Sequence, residues 1–223
     1  MFLDSGAFLT LALSAPPFIF SLVFHEWAHA WLADKLGDST ARYMGRLTLD
    51  PTVHVSLIGT IILPAIAILT GLPGFGWAKP VPIDMRNFRK PRLHMGFVAA
   101  SGPLSNFLLA ILAVAATTFM LKQGFVSQVR PDAPLGFQNA LMAMLEYMVR
   151  INLFLAFFNL IPLPPLDGGR IVQGFASESF ALKMDAFEQT SQLILLGLLF
   201  LGVLRFIIIP VDFTANLLFR LFL

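Results

Sequence analysis

Two histidines four residues apart, His25 and His29, enclose a glutamate in the pentapeptide His25-Glu26-Trp27-Ala28-His29. On an α-helix that spacing places both imidazoles on one face, where their nitrogens can converge on a single metal ion. Glu26 lies about 100° further round the helix. From there a carboxylate can take a proton from water activated by the metal and return it to a leaving amine, which is the chemistry of metal-assisted hydrolysis. The surroundings sharpen the expectation. Between Ser5 and Ala33 no other side chain is ionisable. Unpartnered ionisable groups at membrane depth cost roughly 2.5 kcal/mol or more each, so a functional reason for them is the default. A His-Glu-x-x-His pattern on a soluble helix is often a solvated face, a reading that an apolar setting makes costly.

A zinc site needs a third protein ligand and an open position for water. The chain contains no cysteine, which excludes thiolate ligation, disulfides and cysteine nucleophiles and leaves His, Asp and Glu as the ligand types. Asp167 is the best candidate, within Asn159-Leu160-Ile161-Pro162-Leu163-Pro164-Pro165-Leu166-Asp167-Gly168-Gly169-Arg170. The prolines end a helix there and the glycine pair permits a tight turn, so the carboxylate can point back into a bundle. A simple turn or helix-end aspartate is the alternative.

The elements that must hold these residues are membrane helices. Of the 223 residues 57% are hydrophobic and only 13% charged, and the mean hydropathy is +0.78, outside the range of a soluble domain. The expectation is an all-α polytopic membrane protein forming one domain over residues 1–223, with five to six membrane segments. Apolar runs lie near 5–33, 53–72, 94–121, 139–163 and 189–223, the last long enough for two short spans or for one span with an interfacial tail. Pro16-Pro17 is expected to kink or split the first run, and Pro64 to interrupt the second. Met1 to Ala15 carries no basic residue, so it reads as a retained segment rather than a signal peptide. The net charge of +2 is explained by orientation at an anionic membrane face, and no nucleic-acid partner is expected.

Eight of the fifteen basic side chains fall in two stretches, Lys35, Arg42 and Arg46, and Lys79, Arg86, Arg89, Lys90 and Arg92. Both should be cytoplasmic. A single crossing between them would separate them, so residues 54–72 are read as a re-entrant hairpin bent near Pro64 rather than as a span that violates the rule. The first helix then ends inside, with the His25 site in the cytoplasmic half of the membrane and residues 122–138 as a short external loop. Gly74 to Ile83 is rich in glycine and proline and should be a short extended segment near 76–83 rather than a helix.

With both motifs in view, the chain resembles the site-2 protease family of intramembrane zinc metalloproteases, peptidase family M50, over most of its length. His25 to His29 resembles the first zinc motif, Asn159 to Arg170 the second, the Asn-x-x-Pro-x-x-Pro-x-Asp-Gly pattern, and Gly102-Pro103-Leu104-Ser105-Asn106 the Gly-Pro-x-x-Asn of a core helix. Gly45-Arg46 to His54 and Gly76 to Pro82 look like the compact bacterial and archaeal branch, without PDZ or CBS domains. The resemblance implies one zinc ion per chain on His25, His29 and Asp167, with Glu26 as the base. It also implies that Asn159 polarises the scissile carbonyl or holds the oxyanion, although an asparagine there can equally cap or cross-link helices. His54, Asn106 and Trp77 are carried as supporting or substrate-gating residues. Their plainer readings are an interfacial histidine, helix packing and lipid contact. The implied substrate is a transmembrane protein within the lipid bilayer of a bacterial or archaeal cell membrane. An inactive family member that binds membrane helices, and a metal transporter, are the alternatives. The sequence leaves the oligomeric state open.

Overall fold

The computed structural model describes residues 5–70, 76–125 and 136–222. Among the described residues the regular structure is entirely helical. Three helices have the length and apolarity to cross a membrane, Gly6–Leu36, Pro91–Lys122 and Phe137–Asn159. They lie within α1 (Ser5–Leu36), α5 (Pro91–Lys122) and α6 (Phe137–Asn159). Between α1 and α5 come the short helices α2 (Thr40–Tyr43), α3 (Pro51–His54) and α4 (Leu63–Thr70), the last preceded by a wide π-helical turn over Leu57–Ile62. After α6 follow α7 (Asp167–Phe175), α8 (Glu178–Phe200) and α9 (Ile208–Phe222). The C-terminal pair Glu178–Phe200 and Val203–Phe222 is bent by 81° and counts as a fourth span if taken together.

α5 is the hub, packing against α1, α6 and α7. Small residues make this possible, since Ala110, Ala113 and Val114 are buried against Val149 and Leu153 of α6 and Val211 and Ala215 of α9, and small side chains let membrane helices approach closely. Local signals fix the ends. Asp50 caps α3 by accepting from the Thr52 N–H with Pro51 in the first turn, Pro91 opens α5, and Ser177 caps α8, each the side chain or ring its position favours.

The expected split at Pro16-Pro17 and the expected start of the last helical run are corrected. Pro16 and Pro17 lie inside α1, which runs through them unsplit, and the Ser21 hydroxyl donates to the Pro17 carbonyl at 2.7 Å. The last apolar run is also longer than its hydropathy suggested, because α8 begins at Glu178 and carries Lys183, Asp185 and Glu188 on its first turns.

The described residues on either side of 71–75 lie side by side. The π turn and α4 cover six and eight residues, about 21 Å of helix against a hydrocarbon core of about 30 Å. The returning backbone then lies beside the departing one, with Trp77 N–H donating to the Gly59 carbonyl at 3.1 Å and Lys79 N–H to the His54 carbonyl at 2.8 Å. A Cβ on Gly59 would lie 2.5 Å from the Trp77 ring, so the crossing needs glycine there. Residues 76–84 are non-helical and form no strand. Gly74 and Phe75, and residues 126–135 of the expected external loop, lie outside the described residues.

The two basic stretches share one end of the molecule. Arg46 donates to the carbonyls of Lys79 and Pro80, and buried Asp38 accepts from Asp84 N–H and the Asn87 amide.

Candidate metal centre

His25 and His29 project from successive turns of α1 and are buried. Their Nε2 atoms are 3.0 Å apart. Asp167, the first residue of α7, places Oδ2 3.1 Å from His25 Nε2 and 3.4 Å from His29 Nε2. The loop that delivers it is tight: a Cβ on Gly169 would lie 2.6 Å from the Pro164 nitrogen, and one on Gly168 would strike the carbonyls of Leu160 and Ile161.

The far side of each ring is engaged by α5. His29 Nδ1 is 2.7 Å from the Val98 carbonyl, an acceptor only, so Nδ1 carries a proton and, in the neutral ring that ligates a metal, Nε2 carries a lone pair. His25 Nδ1 is 2.7 Å from Asn106 Oδ1, with the same consequence. Three lone-pair atoms therefore face one another, and Asp167 Oδ2 is buried without a hydrogen-bond partner. Such an arrangement needs a cation at its centre. Tetrahedral zinc with bonds of about 2.0 to 2.1 Å holds neighbouring ligand atoms about 3.3 Å apart, and the three separations above bracket that figure. The residues fit zinc, with each histidine's other nitrogen held as a metal-ligating imidazole requires.

α5 reaches the rings through Gly102, where a Cβ would lie 2.5 Å from both the His25 and His29 rings. Glu26 accepts from the Val81 N–H at 2.9 Å. A cavity of ≈ 240 Å³ is lined by the three ligand candidates, Glu26, Asn159, Arg170 and the strap residues Pro80 and Val81.

Asn159 is thus at the cavity wall, with its amide donating to the Leu155 carbonyl at 3.0 Å. Asn106 lies behind His25. His54 and Trp77 are not among the lining residues. His54 is fully buried, its Nε2 2.9 Å from the Thr48 carbonyl, and its own carbonyl holds the returning strap. Trp77 packs on Gly59. Sequence reasoning missed Val81, which acts through a backbone N–H and leaves no side-chain signal. It also missed Asn152, whose signal was an uncharged polar residue within an apolar span.

Helices of membrane-crossing length that bury two imidazoles and a carboxylate around one point, with a glutamate beside them, define the membrane-embedded metallohydrolase class. Residues 15–202 match the sequence model of Peptidase family M50, and the chain belongs to that family. It is similar to the candidate zinc metalloprotease YwhC of Bacillus subtilis (strain 168), with 37% identity over 196 residues covering 86% of this chain and 84% of that protein. It is also similar to the candidate zinc metalloprotease Rip2 of Mycobacterium tuberculosis (strain ATCC 25618 / H37Rv), with 28% identity over 148 residues, 66% of this chain and 51% of that protein. The Rip2 of Mycolicibacterium smegmatis is 28% identical over 151 residues, 67% and 52% of the two chains. The chain thus spans about half the length of the mycobacterial relatives. No solved structure gives a significant match.

Proposed function

We propose that the chain is an intramembrane zinc metalloprotease that hydrolyses a peptide bond in or beside a transmembrane segment of another membrane protein. The observation that carries this reading is the cluster of His25, His29 and Asp167, whose ligand atoms all lie within 4.8 Å of one another, beside Glu26 in one cavity. Bound to those three residues, zinc supplies Lewis acidity towards the scissile carbonyl and lowers the pKa of water. Glu26 takes the proton from the attacking water and delivers it to the leaving amine nitrogen as the C–N bond breaks. The Val81 N–H keeps one carboxylate oxygen oriented, leaving the other for that transfer. Asn159 donates its second amide hydrogen to the carbonyl oxygen as charge develops there, the first being spent on Leu155. A substrate helix hides its carbonyls in its own hydrogen bonds and must unwind to reach the site. We assign the unwound segment to the non-helical strap at 76–83, which runs past Glu26 and suits strand-like addition.

We place the site in the cytoplasmic half of a cell membrane. Support comes from the packing of residues 35–50 and 79–92, rich in Lys and Arg, at the end of the molecule where α1 finishes. His25 precedes that end, Leu36, by about 16 Å of helix. Residues 54–72 are read as a re-entrant hairpin, a reading supported by the backbone bonds from Trp77 and Lys79, just beyond it, back to Gly59 and His54. Counting the hairpin and the bent C-terminal pair, the membrane segments number five to six.

The test pairs two variants. Glu26→Gln should retain about one zinc per chain and abolish cleavage, seen as accumulation of uncut substrates when membrane proteomes of cells with wild-type and variant protein are compared. Asp167→Ala should lose zinc as well. Unchanged cleavage by Glu26→Gln would end the protease reading, and zinc retained by Asp167→Ala would remove that residue as a ligand.

A further inference from the structure

Behind His25 lies a polar chain that crosses three helices and is closed to solvent. Ser21 of α1, Asn106 of α5 and Asn152 of α6 are each fully buried. Asn152 Nδ2 lies 2.8 Å from the Met148 carbonyl and 2.7 Å from Ser21 Oγ. Asn106 Nδ2 lies 2.8 Å from Asn152 Oδ1 and 3.3 Å from the Ser21 carbonyl. Asn106 Oδ1 then meets His25 Nδ1 at 2.7 Å.

The direction of every bond in this chain follows from groups that can only accept. The Met148 carbonyl has no hydrogen, so the Asn152 amide must turn its NH2 towards it and its oxygen towards Asn106. Asn106 must answer that oxygen with its own NH2, an orientation the Ser21 carbonyl also demands. Only the Asn106 oxygen is left for His25, and it requires the ring proton on Nδ1. His25 Nε2 is thereby kept as a lone pair aimed at Asp167 and His29. Reversing the Asn106 amide would break two buried hydrogen bonds and set an NH2 against the ring, favouring the tautomer that cannot bind a metal through Nε2.

We propose that Asn152 is a positioning residue for the metal centre: by fixing the Asn106 amide it sets the tautomer of His25. It touches neither substrate nor ligand atoms and acts only through Asn106. The inference rests on the zinc reading of the site, but the tautomer is a property of the metal-free protein and can be judged separately.

The experiment uses the full chain in detergent, with zinc affinity measured by chelator competition and the His25 ring nitrogens observed by 15N NMR without metal. Asn152→Leu removes both ends of the relay at similar volume and should weaken zinc binding about tenfold, the scale of partners that orient a ligand. Asn106→Leu should weaken it about 10- to 100-fold, and adding Asn152→Leu to it should change affinity by less than about twofold, because the relay is already cut. In metal-free wild-type protein the His25 proton should reside on Nδ1, and in Asn152→Leu both tautomers should appear. Asn152→Asp in its acid form offers one acceptor and one donor in the same places, and should keep affinity within about threefold of wild type. That variant and the NMR measurement decide the matter if Asn152→Leu does not fold. Independent, additive losses from the two asparagines, or an unchanged His25 tautomer in Asn152→Leu, would overturn the proposal. If wild-type protein binds no zinc, the zinc reading fails, and the tautomer comparison still decides whether the relay exists.

Discussion

The main-chain N–H of Val81 donates to the Glu26 carboxylate at 2.9 Å, fastening the non-helical strap at 76–84 to the acid beside the candidate metal ligands. Pro80 and Pro82 on either side have no N–H to offer, so the register of the strap matters: a shift by one residue loses the bond. Val81→Pro removes this donor together with the buried Val81 side chain packed with Ala30 and Ala41, so Val81→Ala, which keeps the N–H, is its control. A hydrogen bond to a charged group is worth about 1.5 to 3 kcal/mol, so kcat/KM for peptide hydrolysis should fall about 10- to 100-fold with zinc content unchanged. Steady-state kinetics and metal analysis on the same preparation check it, and wild-type kcat/KM would mean that Glu26 is oriented by other groups.

Much of this site was legible because lipid makes polar residues conspicuous. His25, Glu26 and His29 stand out in an apolar run, and Asp167 follows the prolines that separate α6 from α7. Helix positions followed from hydropathy for α1, α5 and α6, whose ends fall within a few residues of the apolar runs. Hydropathy failed at α8, where charged turns are continuous with apolar ones and Ser177 caps a helix that begins in a polar stretch. It also overstated Pro16-Pro17 as a break, since α1 continues as one helix from Ser5 to Leu36 with both prolines inside it, as membrane helices packed on neighbours tolerate. Contacts made through backbone, such as Val98 on His29 and Val81 on Glu26, leave no trace in residue type.

Gly102 is where α5 comes closest to the metal ligands. An added Cβ would lie 2.5 Å from both imidazoles, and neither ring can retreat without giving up its hydrogen bond to Val98 or Asn106. Gly102→Ala should therefore weaken zinc affinity at least tenfold, on the scale set by ligand misorientation. Gly197→Ala is the control, because nothing lies within 4 Å of its added carbon in the helical α8. There alanine should be neutral or stabilising by about 0.4 to 1 kcal/mol. Chelator competition and thermal unfolding in detergent separate the two effects.

Asp38 joins the end of α1 to the turn at 84–87. Burial alone would push its carboxyl up, but bonds from the Thr40 hydroxyl, the Asn87 amide and the N–H groups of Asp84 and Thr40 outweigh that and hold it below the usual carboxylate range. A depressed value in the folded state means that ionised Asp38 stabilises the fold above its unfolded pKa of about 3.9, and that this contribution disappears as pH falls through the folded value. Stability should be level from about pH 5 to 7 and decline below about pH 4. Asp38→Asn should cost about 1 to 3 kcal/mol at neutral pH and flatten part of the acid decline. Thermal unfolding across that pH range checks both, and an unaltered acid limb would assign the decline to other carboxyls.

Asp167, the candidate third ligand, is carried by a helix whose seat lies at its far end. α7 carries Asp167 at its first residue and meets α5 near its other end, where a Cβ on Gly174 would lie 2.7 Å from the Gly96 Cα. Arg92 of α5 also holds α7 there, donating to the carbonyls of Gln173 and Ala176. α7 is therefore a short lever whose seat is two glycines and whose tip is the proposed zinc ligand. A larger residue at the seat must lift the helix or tilt it, and tilting moves the Asp167 carboxylate while leaving both histidines, fixed by α1 and α5, in place. Gly174→Val should destabilise the fold by about 1 to 3 kcal/mol, the cost of overpacking, and weaken zinc binding. Gly174→Ala should do both to a smaller degree. In the Asp167→Ala background the Gly174 substitution should have no further effect on the residual zinc affinity, because the lever then carries nothing to the metal. A Gly174→Val protein that loses stability but binds zinc as wild type would show that α7 yields at Gly168-Gly169 and that its seat does not set the ligand.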